Sequence, residues 1–449
     1  MPRESHPGHA RPRAFTAALA GAAALALVAG VASGLMGAAR LGPDAAAEAA
    51  QSDTATTPSA TPTASSTAGA EPQASASASP SPTPTGDPDV EFTLVAAGDV
   101  LTHGPVNDSA TTADGYDYAA LMDGVRPYIE GADIALCHLE VPVSPAGVAP
   151  SGYPIFSAPS ELVRDLAEVG WDGCSTASNH SVDKGAAGVE STLVALERYG
   201  LQSAGTARSA DEAAQTSFYY VRSGTRTVKV ANISFSYGTN GMPVGSPWEV
   251  NLFDADDAEA GPIIAAAEAA RADGADVVVA SVHCCVEYRT EPSSAQRDLV
   301  EQIAASGAVD LYVGHHAHVP QPIELIEGGP TGDGMWTAFG LGNFLSNQSS
   351  HCCVAETSNG VLLAATFTVS PDGTVAVDAE WTAVTVDRLD SHAMHALTDV
   401  AEGVGTLSAG EVADRLARVR AAVGDEAAER ATPIASLAEQ MYPRLRDAG

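Results

Sequence analysis

The stretch "DLYVGHHAHVPQP" (310–322) places three histidines, His315, His316 and His318, directly after an apolar run that is typical of a buried strand. Imidazoles packed this closely repel one another when protonated and compete for hydrogen-bond partners when neutral. An H-x-H pair at the end of a strand points both rings at one place, an arrangement found in metal sites. We therefore expect this strand to belong to an α/β sheet and to end at a functional site.

Apolar strands alternate with amphipathic helices from Glu91 onward. The predicted strands are 91–99, 132–140, the start of 171–180, a hairpin over 217–235, 275–284, 309–316, 322–327, 335–344, 360–369 and 373–386. Such alternation predicts an α/β fold with partly parallel strands. The closing run of strands predicts a mixed sheet or a second sheet.

Six of these strands deliver polar side chains at the point where the strand ends. The side chains are Asp99, Glu140, Asn179 followed by His180 and Asp183, His283, His316 with His318, and Asn343. Ligands of open α/β sheets bind beyond the carboxyl ends of the strands, so these groups can converge in one crevice. Carboxylate, imidazole and amide-oxygen ligands suit Mn, Fe or Zn, and two such ions can share a bridging carboxylate. Each residue alone is also explained as a turn, a helix cap or a core histidine, so the joint pattern carries the prediction of a metal centre.

Composition divides the chain into four predicted segments. Residues 1–40 are predicted to be a secretory signal or a signal anchor, because three arginines precede an uncharged apolar stretch from Ala14 to Ala39. Residues 41–89 form a Ser/Thr/Pro/Ala linker predicted to be disordered, 90–390 the folded domain, and 391–449 a helical C-terminal appendage. The arginine flank predicts an extracytoplasmic domain that is either anchored in the membrane or secreted.

The formal net charge of −34 restricts the partners of the protein. Nucleic-acid binding is not expected, because phosphate contacts need patches of Lys and Arg. An acidic protein also repels an anionic polymer unless metal ions or a local basic patch, here Arg289 and Arg297, receive it.

Five linked motifs resemble the CapA-type poly-γ-glutamate (capsule) synthesis proteins. In chain order they are "GDVLTHGPV", "DIALCHLEVPVS", "STASNHSVDKGAAGVESTLVAL", "VVVASVHCCVEYRTEPSSAQRDLVEQIAASGAVDLYVGHHAHVPQPIE" and "FGLGNFLSNQ". The resemblance covers residues 92–350. That family in turn resembles the calcineurin-like metallophosphoesterases, so the resemblance implies their fold, with mixed β-sheets flanked by helices and a site for two metal ions.

The resemblance assigns roles to individual residues. Carried over by position, the implied metal ligands are Asp99, Glu140 as the bridge, Asn179, His283, His316 and His318. His180, beside Asp183, is the implied acid/base that protonates a leaving group, and His315 is a neighbour. The implied substrate-binding residues are Glu287, Arg289 and Asn343. The sequence departs from the family's D-x-H motif, because His103 lies four residues after the aspartate, and it is a further candidate ligand.

Three functions are compatible with these features. The leading hypothesis is a role in the synthesis, export or attachment of an anionic γ-glutamyl polymer, together with membrane partners of a polyglutamate synthesis complex. The second is an extracellular metallophosphoesterase that acts on phosphoester substrates. The third is a non-catalytic scaffold of a capsule assembly complex, because a shared fold does not determine function.

Six cysteines include two adjacent pairs, Cys284-Cys285 and Cys352-Cys353. Disulfides are the expected role in an exported protein, although a zinc cluster of these four residues is conceivable. We predict cross-pairing between the two loops, on the premise that adjacent cysteines do not easily pair with each other. Cys137 and Cys174 end neighbouring strands and form either a third pair or two buried thiols.

Overall fold

The computed structural model describes residues 87–442, so the predicted signal or anchor segment and nearly all of the predicted linker lie outside the described residues. The first ten strands are β1 (Val90–Leu101), β2 (Thr111–Thr112), β3 (Gly115–Tyr116), β4 (Ile134–Leu139), β5 (Gly173–Ser175), β6 (Gln202–Ala204), β7 (Ser217–Ser223), β8 (Arg226–Ser236), β9 (Val277–His283) and β10 (Leu311–His315). The others are β11 (Ile323–Ile326), β12 (Met335–Ala338), β13 (Asn343–Ser346), β14 (Asn359–Val369), β15 (Val375–Asp387), β16 (Ala393–Ala396), β17 (Gly403–Val404), β18 (Leu407–Ser408), β19 (Ala428–Glu429) and β20 (Gln440–Tyr442).

The helices of the described residues alternate with the strands in the first three quarters of the domain. They are α1 (Gly104–Ala110), α2 (Ala119–Met122), α3 (Arg126–Glu130), α4 (Glu161–Val169), α5 (Gly185–Tyr199), α6 (Ala210–Ala213), α7 (Gly261–Ala272), α8 (Ser294–Ser306) and α9 (Ala409–Val423). Helix α8 shows how local sequence sets these bounds. The Ser293 hydroxyl caps its first turn by accepting from the N–H of Gln296, and Gly307 ends it in the left-handed conformation. The chain then enters β10, the strand that carries the histidine-rich segment.

Two mixed sheets form the framework. The nine-stranded sheet has the order β16-β15-β14-β1-β4-β5-β6, with β13 on β1 and β19 on β15. The seven-stranded sheet has the order β11-β12-β10-β9-β8-β7-β20. The pairs β1–β4, β4–β5, β8–β9 and β9–β10 are parallel, and β14–β15 is antiparallel. The predicted α/β fold with mixed sheets flanked by helices is confirmed, as is the hairpin, which is β7–β8.

Apolar side chains of the two sheets pack on one another in an inter-sheet core. Phe92 of β1 stacks on Phe367 of β14 with ring centroids 4.8 Å apart, and Trp381 of β15 is fully buried in the same core. The outer face of the nine-stranded sheet packs against α2 to α5, and that of the seven-stranded sheet against α7 and α8. Each sheet is thereby covered on both faces, which explains why its central strands are apolar throughout.

The segment from 391 to 442 is part of this architecture. Besides α9, it contributes β16 and β19 to one sheet and β20 to the other. Val412, Val419 and Val423 of α9 lie in the inter-sheet core, because their spacing puts them on one face of the helix. The strands were not expected from a sequence rich in Ala, Glu and Arg, and they form by pairing with edges already present. The domain boundary at residue 390 stays a prediction. Between residues 87 and 442, no helix is long and apolar enough to span a membrane.

Asp172 precedes β5, and its carboxylate accepts a 2.8 Å hydrogen bond from the N–H of Ala135 in β4. Burial, opposed by this hydrogen bond and reinforced by Asp133, raises the pKa of Asp172 from 3.8 to about 7. The folded state therefore loses stability as the pH rises from about 4 to about 7, since the ionised form is disfavoured there. We expect Asp172→Asn to stabilise the protein more at pH 8 than at pH 5, by on the order of 2 kcal/mol. Urea unfolding at both pH values measures this, and equal effects at both would contradict it.

Candidate metal centre

The carboxyl ends of parallel strands bring the polar residues together. In the nine-stranded sheet, Asp99 of β1 lies beside His138 of β4 and beside Asn343 of β13. In the seven-stranded sheet, His283 of β9 lies beside His315 of β10. Parallel pairing brings the ends of β4, β9 and β10 to the same edges of their sheets, so residues far apart in sequence become neighbours. The predicted strand 335–344 is two strands in the structure, and Asn343 begins β13 instead of ending a strand, so that prediction is wrong. Asp99 lies two residues before the end of β1.

Two carboxylates lie at the middle of this cluster, and both Asp99 and Glu140 are 0% exposed. Asp99 oxygens lie 2.9 Å from His318 Nδ1 and 3.4 Å from His315 Nδ1. The Glu140 Oε1 atom is 3.7 Å from His318 Nε2 and 4.0 Å from His283 Nε2. Within the part of the chain that the structure describes, no oxygen of Glu140 accepts a hydrogen bond, and the contacts of the Asp99 oxygens are with the rings of His315 and His318. Two neighbouring buried carboxylates with so few partners are unfavourable unless cations compensate them.

Burial and neighbouring charges together shift the pKa values of Asp99, Glu140 and His318. Burial by itself raises the pKa of Asp99, but His315 and His318 hold it well below its ordinary value. Burial raises the pKa of Glu140 well above its ordinary value, against the opposing charge of His318. Burial would lower the pKa of His318, yet Glu140 and Asp99 raise it to about 9. The His318 proton thus supplies a single positive charge between two carboxylates.

Five histidines surround the carboxylates. The rings of His138 and His315 stack with centroids 3.9 Å apart, and those of His283 and His316 are 4.7 Å apart. Burial holds the pKa of His138 and of His283 well below the ordinary value, and lowers that of His316 to about 3. These three rings are therefore neutral at physiological pH, which is the form that binds metal.

Sequence reasoning missed His138. It precedes Glu140 by two residues in "CHLE", and side chains two apart in a strand point to the same face. That spacing was the available signal. In the structure, His138 Nε2 lies 2.9 Å from His283 Nδ1, and His138 Nδ1 lies 2.8 Å from the Ser175 hydroxyl.

Three overlapping sets of side chains place ligand atoms within 4.8 Å of one another. They are Asp99 with His138 and His283, Asp99 with Glu140 and His318, and Glu287 with His316 and His318. The donor set, imidazole nitrogen with carboxylate oxygen, suits Mn, Fe or Zn. The centre therefore fits a divalent metal, because it combines these donors with two buried carboxylates, of which Glu140 lacks hydrogen bonds from the described residues.

Two predicted ligands lie beside these sets. Asn179 places its amide oxygen 3.1 Å from His283 Nε2, in line with a role at the same centre. His103 directs Nδ1 to the Leu101 carbonyl oxygen at 3.0 Å, and its ring packs edge-on against Phe156. Its role as a ligand stays a prediction.

The backbone around the histidines is unusual. His316 and His318 both adopt left-handed conformations, with φ of 80° and 56°. Such conformations are uncommon outside glycine and cluster at functional sites. Both rings are nearly fully buried against the centre, so the turn after β10 aims them inward.

Gly98 lets two strands approach closely beside Asp99. A side-chain carbon at position 98 would lie 2.0 Å from the carbonyl oxygen of Gly342, which accepts the N–H of Asp99 at 2.9 Å. We expect Gly98→Ala to lower the free energy of unfolding by about 3 kcal/mol or more, because backbone must move. We also expect it to weaken metal binding by displacing Asp99. Urea unfolding and metal analysis check this, with Gly104→Ala as control, since no atom lies within 4 Å of a side-chain carbon built there.

The predicted acid/base pair is formed in the structure. His180 Nδ1 lies 2.7 Å from the Asp183 carboxylate, which also accepts the N–H of Phe156 at 2.7 Å. The Asp183 interaction orients the ring and favours a proton on Nδ1. His180 Nε2 faces the amide of Asn240 at 3.4 Å, and Asn240 also contacts Asn179.

The predicted substrate-binding residues differ in position. Glu287 is partly exposed, 3.9 Å from His318 Nε2, and belongs to one ligand set. Arg289 is exposed near the same loop, where its carbonyl oxygen accepts from Gln321. Asn343 is buried and donates to the carbonyl oxygen of His318 at 3.3 Å, so it also holds the histidine turn.

The cysteines pair differently from the prediction. Cys284 pairs with Cys285 and Cys352 with Cys353, so the predicted cross-pairing between the two loops is wrong. Each of these four cysteines pairs with its neighbour in the same loop, so no free thiol is left to form a disulfide with the other loop. Cys137 and Cys174 form the third pair, as neighbours in the register of β4 and β5.

The fold and the centre define a two-sheet α/β protein with a buried histidine–carboxylate site suited to divalent metal. Residues 93–348 match the family model described as "Bacterial capsule synthesis protein PGA_cap", and the chain belongs to this family. The family resemblance inferred from the sequence motifs is thereby confirmed.

Two CapA proteins are similar to this chain in sequence. The chain is 29% identical to the "PGA biosynthesis protein CapA" of Bacillus subtilis (strain 168) over 188 residues, which are 42% of this chain and 46% of that protein. It is 25% identical to the "Capsule biosynthesis protein CapA" of Bacillus anthracis over 262 residues, 58% of this chain and 60% of that protein. The chain thus spans about half the length of these relatives.

Solved structures with similarity include the NAD nucleotidase NadN of Haemophilus influenzae, with a TM-score of 0.42 and 11% identity over 77% of this chain and 65% of that one. The calcineurin-like phosphoesterase YfkN of Bacillus subtilis gives a TM-score of 0.37 and 14% identity over 74% of this chain and 98% of that one.

Proposed function

We propose that the centre binds two divalent ions, Mn, Fe or Zn. The observation that carries this proposal is the burial of Asp99 and Glu140 among five histidines, with both oxygens of Glu140 lacking hydrogen bonds from the described residues. Natural proteins rarely leave such groups unpaired. The overlap of the ligand sets at Asp99 and at His318 supports two adjoining positions instead of one.

We further propose that the protein acts in the synthesis, export or attachment of an anionic γ-glutamyl polymer outside the cytoplasm. Family membership and the names of the two relatives support this role. The apolar stretch Ala14–Ala39 supports anchoring in the membrane or secretion, and with it contact with membrane partners of a polyglutamate synthesis complex.

The side chains support hydrolytic or group-transfer chemistry. A divalent ion, when bound, supplies Lewis-acid activation of a phosphoryl or acyl oxygen. Asp183 accepts the Nδ1 proton of His180 and would stabilise the doubly protonated ring, whose Nε2–H would then be the proton donor to a leaving group. Arg289, exposed beside Glu287, offers a positive charge to an anionic substrate that the acidic protein otherwise repels.

Deletion of the gene from the bacterium that carries it tests the role in polymer synthesis. We expect loss of surface γ-glutamyl polymer, its return with the wild-type chain, and no return with Asp99→Asn at equal protein level. Antibody or amino-acid analysis of the cell surface measures the polymer. Unchanged polymer after deletion would exclude this role.

A second candidate function, an extracellular metal-dependent phosphoesterase, is favoured by the His180–Asp183 pair next to the ligand sets. Turnover of bis-p-nitrophenyl phosphate by the metal-loaded protein would support it. Bound metal without turnover of phosphoester or γ-glutamyl substrates, combined with loss of polymer on deletion, would instead indicate the scaffold role.

A further inference from the structure

A second cavity, away from the metal centre, opens at the edge of the nine-stranded sheet. It has a volume of about 270 Å³ and lies between the edge strand β6, the start of β7 and the middle of β8. This size is near the lower end of small-molecule pockets, roughly 300 Å³. None of its described lining residues belongs to the ligand sets of the metal centre.

Two polar atoms that line this cavity are buried and lack hydrogen-bond partners among the described residues. They are Asn232 Nδ2 and Ser234 Oγ. Asn232 is 2% exposed and Ser234 is 1% exposed. The Asn232 amide oxygen accepts from the Ser281 hydroxyl at 3.3 Å, which leaves its NH₂ group as the unpaired part. Clustered orphan donors around one cavity indicate a polar occupant, because each is unfavourable when left unpaired.

Neighbouring residues keep this arrangement in place. Asn251 Nδ2 donates to the Ser234 carbonyl oxygen at 3.2 Å, and the Asn251 N–H donates to the carbonyl oxygen of Gly205 at 2.8 Å. A side-chain carbon at position 205 would lie 2.8 Å from Ser234 Oγ, so glycine there leaves space beside that hydroxyl. Strand β6 is an edge strand, and such strands present backbone donors and acceptors as well.

The charges of the cavity define the class of occupant. Of the described residues that line it, none is Lys, Arg or His, and two are the carboxylates Glu197 and Glu212. Arg208 pairs with both carboxylates, so one negative charge remains uncompensated. An anion is therefore disfavoured. A cation would bring only donors to the Asn232 NH₂ group, which needs an acceptor.

We infer that this cavity binds a small uncharged polyhydroxyl compound, up to about the size of a single sugar. A ligand hydroxyl group can accept from Asn232 Nδ2, and another can donate to or accept from Ser234 Oγ. One ligand therefore satisfies both orphan atoms without bringing a charge. This site is independent of the proposed function of the metal centre.

Calorimetric titration of the full-length protein with D-glucose and with myo-inositol tests the inference, with L-glutamate and inorganic phosphate as charged comparison probes. We expect saturable binding of at least one neutral probe with a Kd on the order of millimolar. Asn232→Leu is expected to weaken it about tenfold, the effect of one lost hydrogen bond. Ser234→Ala, a smaller change, is expected to weaken it in the same direction and serves if Asn232→Leu does not fold.

Two controls separate this site from the metal centre and from general effects on folding. Asp99→Asn is expected to leave the binding of the neutral probe unchanged, as is Ser191→Ala, a change at a partly exposed serine outside the cavity. No saturable binding of either neutral probe by the wild type would overturn the inference and indicate a water-filled cavity. Binding of glutamate or phosphate that Asn232→Leu weakens and Asp99→Asn does not, or equal binding of the neutral probe by Asn232→Leu, would overturn it as well.

Discussion

Glu140→Gln is expected to have opposite effects on stability with and without metal. In the metal-free protein, the buried carboxylate is disfavoured, as its raised pKa indicates, so the uncharged amide is expected to stabilise the fold by about 1–3 kcal/mol at pH 8. In the metal-loaded protein, loss of a ligand is expected to lower metal affinity at least about 100-fold. Bound metal stabilises the folded state, so this weaker binding is expected to lower the free energy of unfolding by about 3 kcal/mol at a metal concentration that saturates the wild type.

Thermal or urea unfolding with chelator and with added Mn or Zn measures both effects, and elemental analysis gives the bound metal per chain. Asp108→Asn is a matched control, because it removes an exposed carboxylate outside the centre. Full metal content in Glu140→Gln, or the same stability change with and without metal, would show that Glu140 is retained for folding and not for binding metal.

His180→Ala is expected to reduce turnover by about 10²–10⁴-fold while the metal content stays the same. His180 is outside the three ligand sets, and Asp183 orients it through Nδ1, so its loss removes a proton donor without removing a ligand. Asp183→Asn is expected to give a smaller loss, because the ring remains but its preferred tautomer is no longer stabilised. Turnover of an alkyl phosphodiester and of γ-glutamyl peptides by the metal-loaded protein is the measurement, because the leaving groups of both substrates need a proton.

The matched control for this experiment is His351→Ala, an exposed histidine outside the centre, for which no change in turnover is expected. A leaving group that needs no proton, such as p-nitrophenolate, is expected to be less sensitive to His180→Ala than an alkyl leaving group. Equal sensitivity for both leaving groups would argue against an acid role. Loss of metal in His180→Ala would instead indicate that His180 supports the ligands.

Local sequence was enough to predict most of the polar residues that lie near strand ends at the centre, but not that Asn343 begins its strand. Asp99, Glu140, His283 and His316 each follow an apolar run, and parallel pairing then brings such ends to one edge. His138 was missed because it lies inside its strand, where a histidine is usually part of the core. Only the register of β1 with β4 places it beside Asp99.

The cysteine pairing could not be predicted from the same kind of pattern. The expected pairing between two loops depended on how close those loops come, and sequence spacing contains no such distance. The strands formed by the segment after residue 390 were also missed, because β16, β19 and β20 are short and form only against edges supplied by other parts of the chain.

Local patterns along the chain account for the alternation of strands and helices, for most of the polar residues near strand ends and for the family. These features depend on neighbours in the chain, on residue periodicity and on motifs. The burial of Asp99 and Glu140, the cluster of five histidines around them and the position of Asn232 in a second cavity arise from the tertiary fold. Those properties depend on distances between strands of different sheets, which are set by packing and register and not by local propensity.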